Sequence, residues 1–231
     1  MGKHFKLKVL SVVDIPFSET PKCEAVRSIL DHWGYDHYQK VVPQWKGNIT
    51  KAKWFIKLVN QLDESYTHVM LIDGSDVVVL AEPAHIMEEF FALDHPWVYA
   101  AEANIWPPSS FVPDDYPTPA VTHRYINAGA CLGEREHIIG WFAKFGRPFS
   151  PIGSDQGWTA EQFLTYYPDA IQIDYGCRLF QCMNRQSNDV VSVVEGSVHN
   201  IEEDTFPLII HYNGGQDITT PERRILWQNL L

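Results

Sequence analysis

The segment that most constrains the fold is the apolar run from Val69 to Val79, V-M-L-I-D-G-S-D-V-V-V. His68 to Ile72 reads as a buried central strand, interrupted by Asp73-Gly74-Ser75-Asp76 and resumed as Val77 to Leu80. A strand of this kind needs covering layers, and the flanking sequence supplies them. Lys6 to Val13 reads as a first strand ended by Asp14-Ile15-Pro16. Thr20 as N-cap and Pro21 in the first turn open a helix that runs to Trp33 and stops at Gly34. His37 to Val42 is a second short strand. Lys51 to Leu62 is amphipathic, with Phe55, Ile56, Val59 and Leu62 on one stripe. Ala84 to Leu93 reads as a helix and Trp97 to Ala101 as a strand. Strand and helix alternate over the first hundred residues, which predicts an α/β sheet of mostly parallel order.

Pro and Ser crowd between Trp106 and Pro119, so a loop is expected there. Beyond it, Tyr125 to Gly133 reads as a strand rich in small residues, and Glu134 to Phe145 and Ser154 to Tyr167 read as helices. Ile171 to Asp174, Val190 to Val194 and Leu208 to His211 are short strands, and Thr220-Pro221-Glu222 opens a closing helix. The 231 residues carry no internal repeat and no convincing linker, so one domain is expected.

Composition removes some function classes. A net charge of −11 without a long Lys/Arg run argues against a duplex nucleic-acid footprint, although Lys46, Lys51, Lys53 and Lys57 form a small basic face suited to an anion. Cys23, Cys131, Cys177 and Cys182 have no zinc-like spacing and suit buried thiols. The basic start runs into Asp14 after a short apolar stretch, which reads as a strand rather than a signal peptide. No run approaches a membrane span. A soluble, cytoplasmic protein is the expectation.

Two carboxylates three residues apart at the carboxyl end of a buried strand repel each other and lose hydration unless a cation compensates them. Ligands of open α/β sheets gather at that end. A hard divalent cation held by Asp73 and Asp76 with phosphate oxygens is one reading; carboxylates that merely cap the Gly74-Ser75 turn are the other. At the end of the last strand, His211 fits an imidazole ligand that favours Mn²⁺ over Mg²⁺ as well as a structural side chain with a satisfied hydrogen bond. The Asn213-Gly214-Gly215 turn after it brings backbone N–H groups within reach of phosphate. The small residues of Tyr125 to Gly133 fit close helix packing as well as a ligand, and Asp155 fits a helix cap as well as a site.

The order of these pieces is what resembles a family. L-I-D-G-S-D-V, A-A-E-A-N-I-W-P, Y-I-N-A-G-A-C-L-G, S-D-Q, I-D-Y-G-C-R-L-F-Q and I-I-H-Y-N-G occur in sequence over roughly residues 50 to 215. The chain resembles the GT-A glycosyltransferases, and most of all the glycosyltransferase domain of procollagen lysyl hydroxylases, without their oxygenase part. The resemblance implies a single GT-A domain over 1–231, with a Rossmann-like mixed sheet flanked by helices. Its nucleotide half covers about 1–105 and its acceptor half about 106–231.

It further implies Asp73, Asp76 and His211 as ligands of Mn²⁺ (Mg²⁺ being the alternative), with Asp73 also meeting the nucleotide. Val12, Asp14 and Trp45 fall at the uridine, Asn213 and Gly214 beside the diphosphate, and a lysine, Lys53 or Lys51, on phosphate. Trp106, Asn127 and Asp155 fall around the sugars, Asp155 being the base if the reaction inverts. Gly74-Ser75 stands where the family often carries bulkier residues. The expected activity moves a hexose from a UDP-sugar to a hydroxyl of hydroxylysine in a collagen-like protein or of a glycan. A hydroxylated nucleobase in DNA is the alternative acceptor. The alternatives of another class are a nucleotidyltransferase, which would want a Gly-rich loop that D-I-P-F-S-E-T lacks, and a non-catalytic nucleotide or glycan binder.

Overall fold

In a computed structural model of the chain, residues 4–108, 110, 113–117, 121–145, 153–166, 171–184 and 190–214 are described. A six-stranded sheet carries the order β2-β1-β3-β6-β5-β7. Its strands are β1 (Leu7–Asp14), β2 (His37–Val42), β3 (His68–Ile72), β5 (Trp97–Glu102), β6 (Tyr125–Glu134) and β7 (Gln172–Ile173). β1 pairs parallel with both β2 and β3, β6 runs antiparallel to β3 and β5, and β5 pairs parallel with β7. The sheet is therefore mixed, as the family resemblance implied, and less parallel than the strand–helix alternation alone suggested.

Both faces of this sheet are covered at its centre, which is why β3, β5 and all but the last residue of β6 are buried, whereas the edge strand β2 is mostly exposed or half-buried. Side chains alternate between faces along each strand. Met70 and Ile72 of β3 join one apolar cluster, and Val69 and Leu71 the other. The first cluster is closed by α2 (Pro21–His32) through Val26, Ile29 and Leu30, and by α4 (Pro83–Ala92) through Ile86, Met87 and Phe90. The second is closed by α3 (Ile49–Gln61), α5 (Arg135–Phe145) and α6 (Asp155–Tyr166), with Phe55, Trp141, Phe142 and Phe163 packed inward.

The predicted caps form: the Thr20 hydroxyl accepts from the Cys23 N–H at 3.4 Å and Pro21 opens α2. A short helix, α1 (Ile15–Ser18), follows β1 where only a strand end was expected. The resumed apolar run becomes β4 (Val77–Val79), which leaves the main sheet. It joins a three-stranded sheet ordered β4-β11-β8, with β8 (Phe180–Cys182) and β11 (Ile209–His211). A separate hairpin pairs β9 (Val191–Val194) with β10 (Ser197–Asn200). β8 and β10 had no counterpart in the sequence reading. The expected closing helix at Thr220 lies outside the described residues. All four cysteines are free and buried, and no helix among the described residues is long and apolar enough to cross a membrane.

Candidate active site

Two strand ends bring the acids and the imidazole together. Asp73 follows β3, with its N–H donating to the Gly129 carbonyl at 2.7 Å, and Asp76 precedes β4. β11 runs antiparallel to β4 with His211 opposite Val77, and the Tyr212 N–H donates to the Asp76 carbonyl at 2.8 Å. That register lays the His211 ring beside the turn. Its Nε2 stands 3.4 Å from Asp73 Oδ2 and 3.6 Å from Asp76 Oδ1, and one ligand atom from each residue falls within 4.8 Å of the others. His211 Nε2 and Asp76 Oδ1 are buried with no hydrogen-bond partner among the described residues. Buried polar atoms left this way ask for an ion or a water. Two carboxylates and one imidazole suit a divalent cation, so the residues fit such an ion.

Glycine is required twice here. A Cβ on Gly129 would lie 1.9 Å from His211 Cε1, and one on Gly74 2.6 Å from a Val13 methyl. The Gly129 segment is where β6 bulges: pairing with β5 jumps from Tyr99↔Cys131 to Ala100↔Asn127. Bulges of this kind re-aim side chains next to active sites, and this one turns Asn127 inward. Its Oδ1 accepts from the Gly129 N–H at 2.8 Å and lies 3.0 Å from His211 Nδ1.

Lys51 is the cation of the site. It sits in the first turn of α3, 2.5 Å from Asp73 Oδ1 and 2.8 Å from Asp155 Oδ2. The α3 N-terminus is tied to the loop before α6 by the Ile49 N–H donating to the Gly153 carbonyl at 2.8 Å, which sets this contact. Burial opposes the charge on Lys51, but the Asp155 and Asp73 carboxylates outweigh it and hold the ammonium protonated. Burial pushes the Asp155 carboxyl up against the pull of Lys51. At His211 burial opposes protonation too, and Asp76 with Asp73 overcomes it. At the start of α6 the Ser154 hydroxyl accepts from the Gly157 N–H at 2.9 Å, and Asp155 Oδ1 accepts from the Gln156 N–H at 2.8 Å while its Oδ2 faces Lys51.

Lys53 is a correction. It is exposed on α3 and lines neither cavity of the site. Residues two apart on a helix point about 200° away from each other, so only one of the two lysines can face inward. Lys51 shares the buried stripe of Phe55 and Val59, four and eight residues on, and that periodicity was available in the sequence.

A cavity of about 710 Å³ opens over these groups and is lined by Trp106, Asn127, Asp155, Asn213 and Gly214 along with the three candidate ligands. Trp106 stands half exposed at its wall. Glu102 and Gln156 also line it and were not among the candidate residues. Glu102 is 2% exposed and accepts from Gln156 Nε2 at 2.6 Å, Asn213 Nδ2 at 2.5 Å and Asn127 Nδ2 at 3.2 Å. Burial pushes its carboxyl up while these amides draw it down. The signal was present: Glu102 ends an apolar strand, W-V-Y-A-A-E, as Asp73 follows one. A second cavity, of about 220 Å³, is lined by Val12, Asp14 and Trp45 as well as Phe17. The two cavities share Asn48, Lys51, Asp73 and Asp76.

A family model described as PLOD GT domain matches residues 33–220. Among curated proteins, the procollagen-lysine,2-oxoglutarate 5-dioxygenase of Drosophila melanogaster is 29% identical over 161 residues, covering 66% of this chain and 22% of that one. Enzyme 2 of the same name from Mus musculus is 24% identical over 186 residues, covering 74% and 25%. An uncharacterized protein of Acanthamoeba polyphaga mimivirus is 29% identical over 148 residues, covering 63% and 31%. The chain thus spans about a fifth to a third of the length of these relatives. Among solved structures, a glycosyltransferase involved in glycosylation of the major capsid of PBCV-1 superposes with a TM-score of 0.56 at 14% identity, covering 97% of this chain and 98% of that one. Mouse xyloside xylosyltransferase 1 gives a TM-score of 0.50 at 10% identity, covering 90% and 98%. At these identities the likeness is one of fold.

Proposed function

The chain belongs to the PLOD glycosyltransferase-domain family, and from that premise we propose that it moves a hexose from a UDP-sugar to a hydroxyl acceptor with Mn²⁺ as its cofactor. The acceptor in this reading is hydroxylysine of a collagen-like protein or a hydroxyl of a glycan. The observation that carries the reading is the pair of cavities meeting at Lys51, Asp73 and Asp76. A nucleotide sugar has the same layout, with a diphosphate between a nucleoside and a sugar.

Asp73, Asp76 and His211 would hold the cation, which supplies positive charge where the departing diphosphate gains negative charge. Lys51 adds an ammonium on the same side, and the Asn213-Gly214 turn adds backbone donors. Asn213 is held in place by its Oδ1, which accepts from the Met183 and Asn184 N–H groups at 3.1 and 2.9 Å. Val12, Asp14 and Trp45 would meet the nucleoside. Glu102 fixes the amides of Asn127, Gln156 and Asn213, so that the floor of the large cavity is a rigid array of donors and acceptors for sugar hydroxyls. Trp106 offers an apolar face to a sugar ring. Asp155 accepts the acceptor's proton in an inverting reaction and orients hydroxyls in a retaining one. The anomeric configuration of the product, read by NMR, decides between these roles. In this reading residues 1–231 work as one domain, with the nucleotide half at about 1–105 and the acceptor half at about 106–231.

The test is a panel of nucleotide sugars incubated with the protein and Mn²⁺, with free nucleoside diphosphate as the readout. Release from a UDP-hexose, lost with chelator and in Asp73→Ala and His211→Ala, is expected. Full release in those variants with chelator present overturns the proposal.

A further inference from the structure

Polarity divides the two joined cavities. The larger presents Glu102, Asn127, Asp155 and Gln156, partners for hydroxyl groups. The smaller presents Val12, Val13, Phe17 and Trp45, a wall for a flat apolar surface. We infer that Phe17 is the stacking platform for the base of a nucleoside diphosphate in the smaller cavity. This rests on the nucleotide-sugar reading above and goes beyond it by naming the residue that sets nucleoside affinity.

The turn between the two acids cannot supply a ring. It holds only Gly74 and Ser75, and Gly74 is closed to any side chain by the Val13 methyl. Aromatic surface in this cavity therefore comes from Phe17 and Trp45. The backbone under Phe17 is pinned on both sides. Its N–H donates to Asp14 Oδ1 at 3.1 Å, and its carbonyl accepts from the Thr20 N–H at 3.0 Å and hydroxyl at 2.7 Å. Behind it, Arg27 Nη1 reaches the Ser18 carbonyl at 3.2 Å and Gln39 Oε1 at 2.6 Å. Phe17 as a residue remains 52% exposed. Exposure of a single phenylalanine is ordinary. A half-exposed ring on a fixed turn, forming the wall of a cavity that adjoins two carboxylates and a lysine, is a surface ordered before its ligand arrives, so little ordering entropy is lost on binding.

Isothermal titration of the full chain with UDP, and separately with inorganic pyrophosphate, each with Mn²⁺, tests the assignment. Phe17→Ala is expected to weaken UDP roughly 5- to 150-fold, the loss of one stacking aromatic, and to leave pyrophosphate unchanged. Phe17→Tyr keeps the ring and is expected to restore UDP affinity. Unchanged UDP affinity in Phe17→Ala overturns the role of Phe17 and leaves the nucleotide-sugar reading standing. Equal weakening of UDP and pyrophosphate also overturns it, since that marks a structural effect. Wild-type protein that binds pyrophosphate but neither UDP nor the other nucleoside diphosphates overturns both.

Discussion

Lys51→Met removes the one ammonium that separates Asp73 from Asp155. At 2.5 and 2.8 Å and an effective dielectric near 20, the gross attractions come to about 7 and about 6 kcal/mol. Most of that is offset by the desolvation of three charged groups. The measurable quantity is the cost of leaving the buried Asp155 and the half-buried Asp73 carboxylates without their partner, about 3–5 kcal/mol. In a chain of this size that corresponds to a fall in Tm of roughly 6–20 °C. Urea unfolding in EDTA, followed by circular dichroism, reads it directly. The pH dependence has a definite sign. With Lys51 gone, burial holds the Asp155 carboxyl still further above its ordinary value of 3.8. A carboxyl raised in the folded state penalises its charged form, so the deficit is greatest at high pH and shrinks as the pH falls and Asp155 takes up a proton. Adding Asp155→Asn to Lys51→Met should recover about 1 kcal/mol or more, because neighbouring charges are not additive. A deficit below about 1 kcal/mol, a deficit constant with pH, or strictly additive single variants would refute the reasoning.

Other perturbations follow from the same geometry. Gly129→Ala puts a methyl into the His211 ring, so Mn²⁺ affinity by titration calorimetry should fall at least roughly tenfold, as when a metal ligand is displaced by its surroundings, with far-UV circular dichroism retained. Glu102→Gln turns an acceptor for three amides into a group with its own donors. About 1–3 kcal/mol should be lost in urea unfolding, and sugar release should slow; wild-type behaviour in both assays removes Glu102 from the account.

How much of this was legible depended on whether local chemistry or long-range register decided it. Asp73 and Asp76 stood out because acids are costly at the end of an apolar strand, a local argument. Glu102 meets the same criterion at the end of W-V-Y-A-A-E. Lys51 and Lys53 were separable by helical phase, once Phe55 and Val59 defined the inner stripe. By contrast, His211 reaches the acids only through the antiparallel register of β11 on β4, which no local pattern encodes. The three-residue β8, F-Q-C in sequence, is a strand only because β11 pairs with it. Phe17 sits on a four-residue helix whose single turn carries no periodicity, so its place in the cavity wall emerges only from the fold.

The central claim is that Asp73, Asp76 and His211 share one divalent cation. Counting bound Mn²⁺ by electron paramagnetic resonance tests it most directly, with UDP present and absent. The account predicts one ion per chain, tightened by UDP, and lost in Asp76→Ala and His211→Ala while Lys53→Ala binds as the wild type does. Mn²⁺ bound equally well by wild type and both ligand variants, or not bound by the wild type at all, would contradict it.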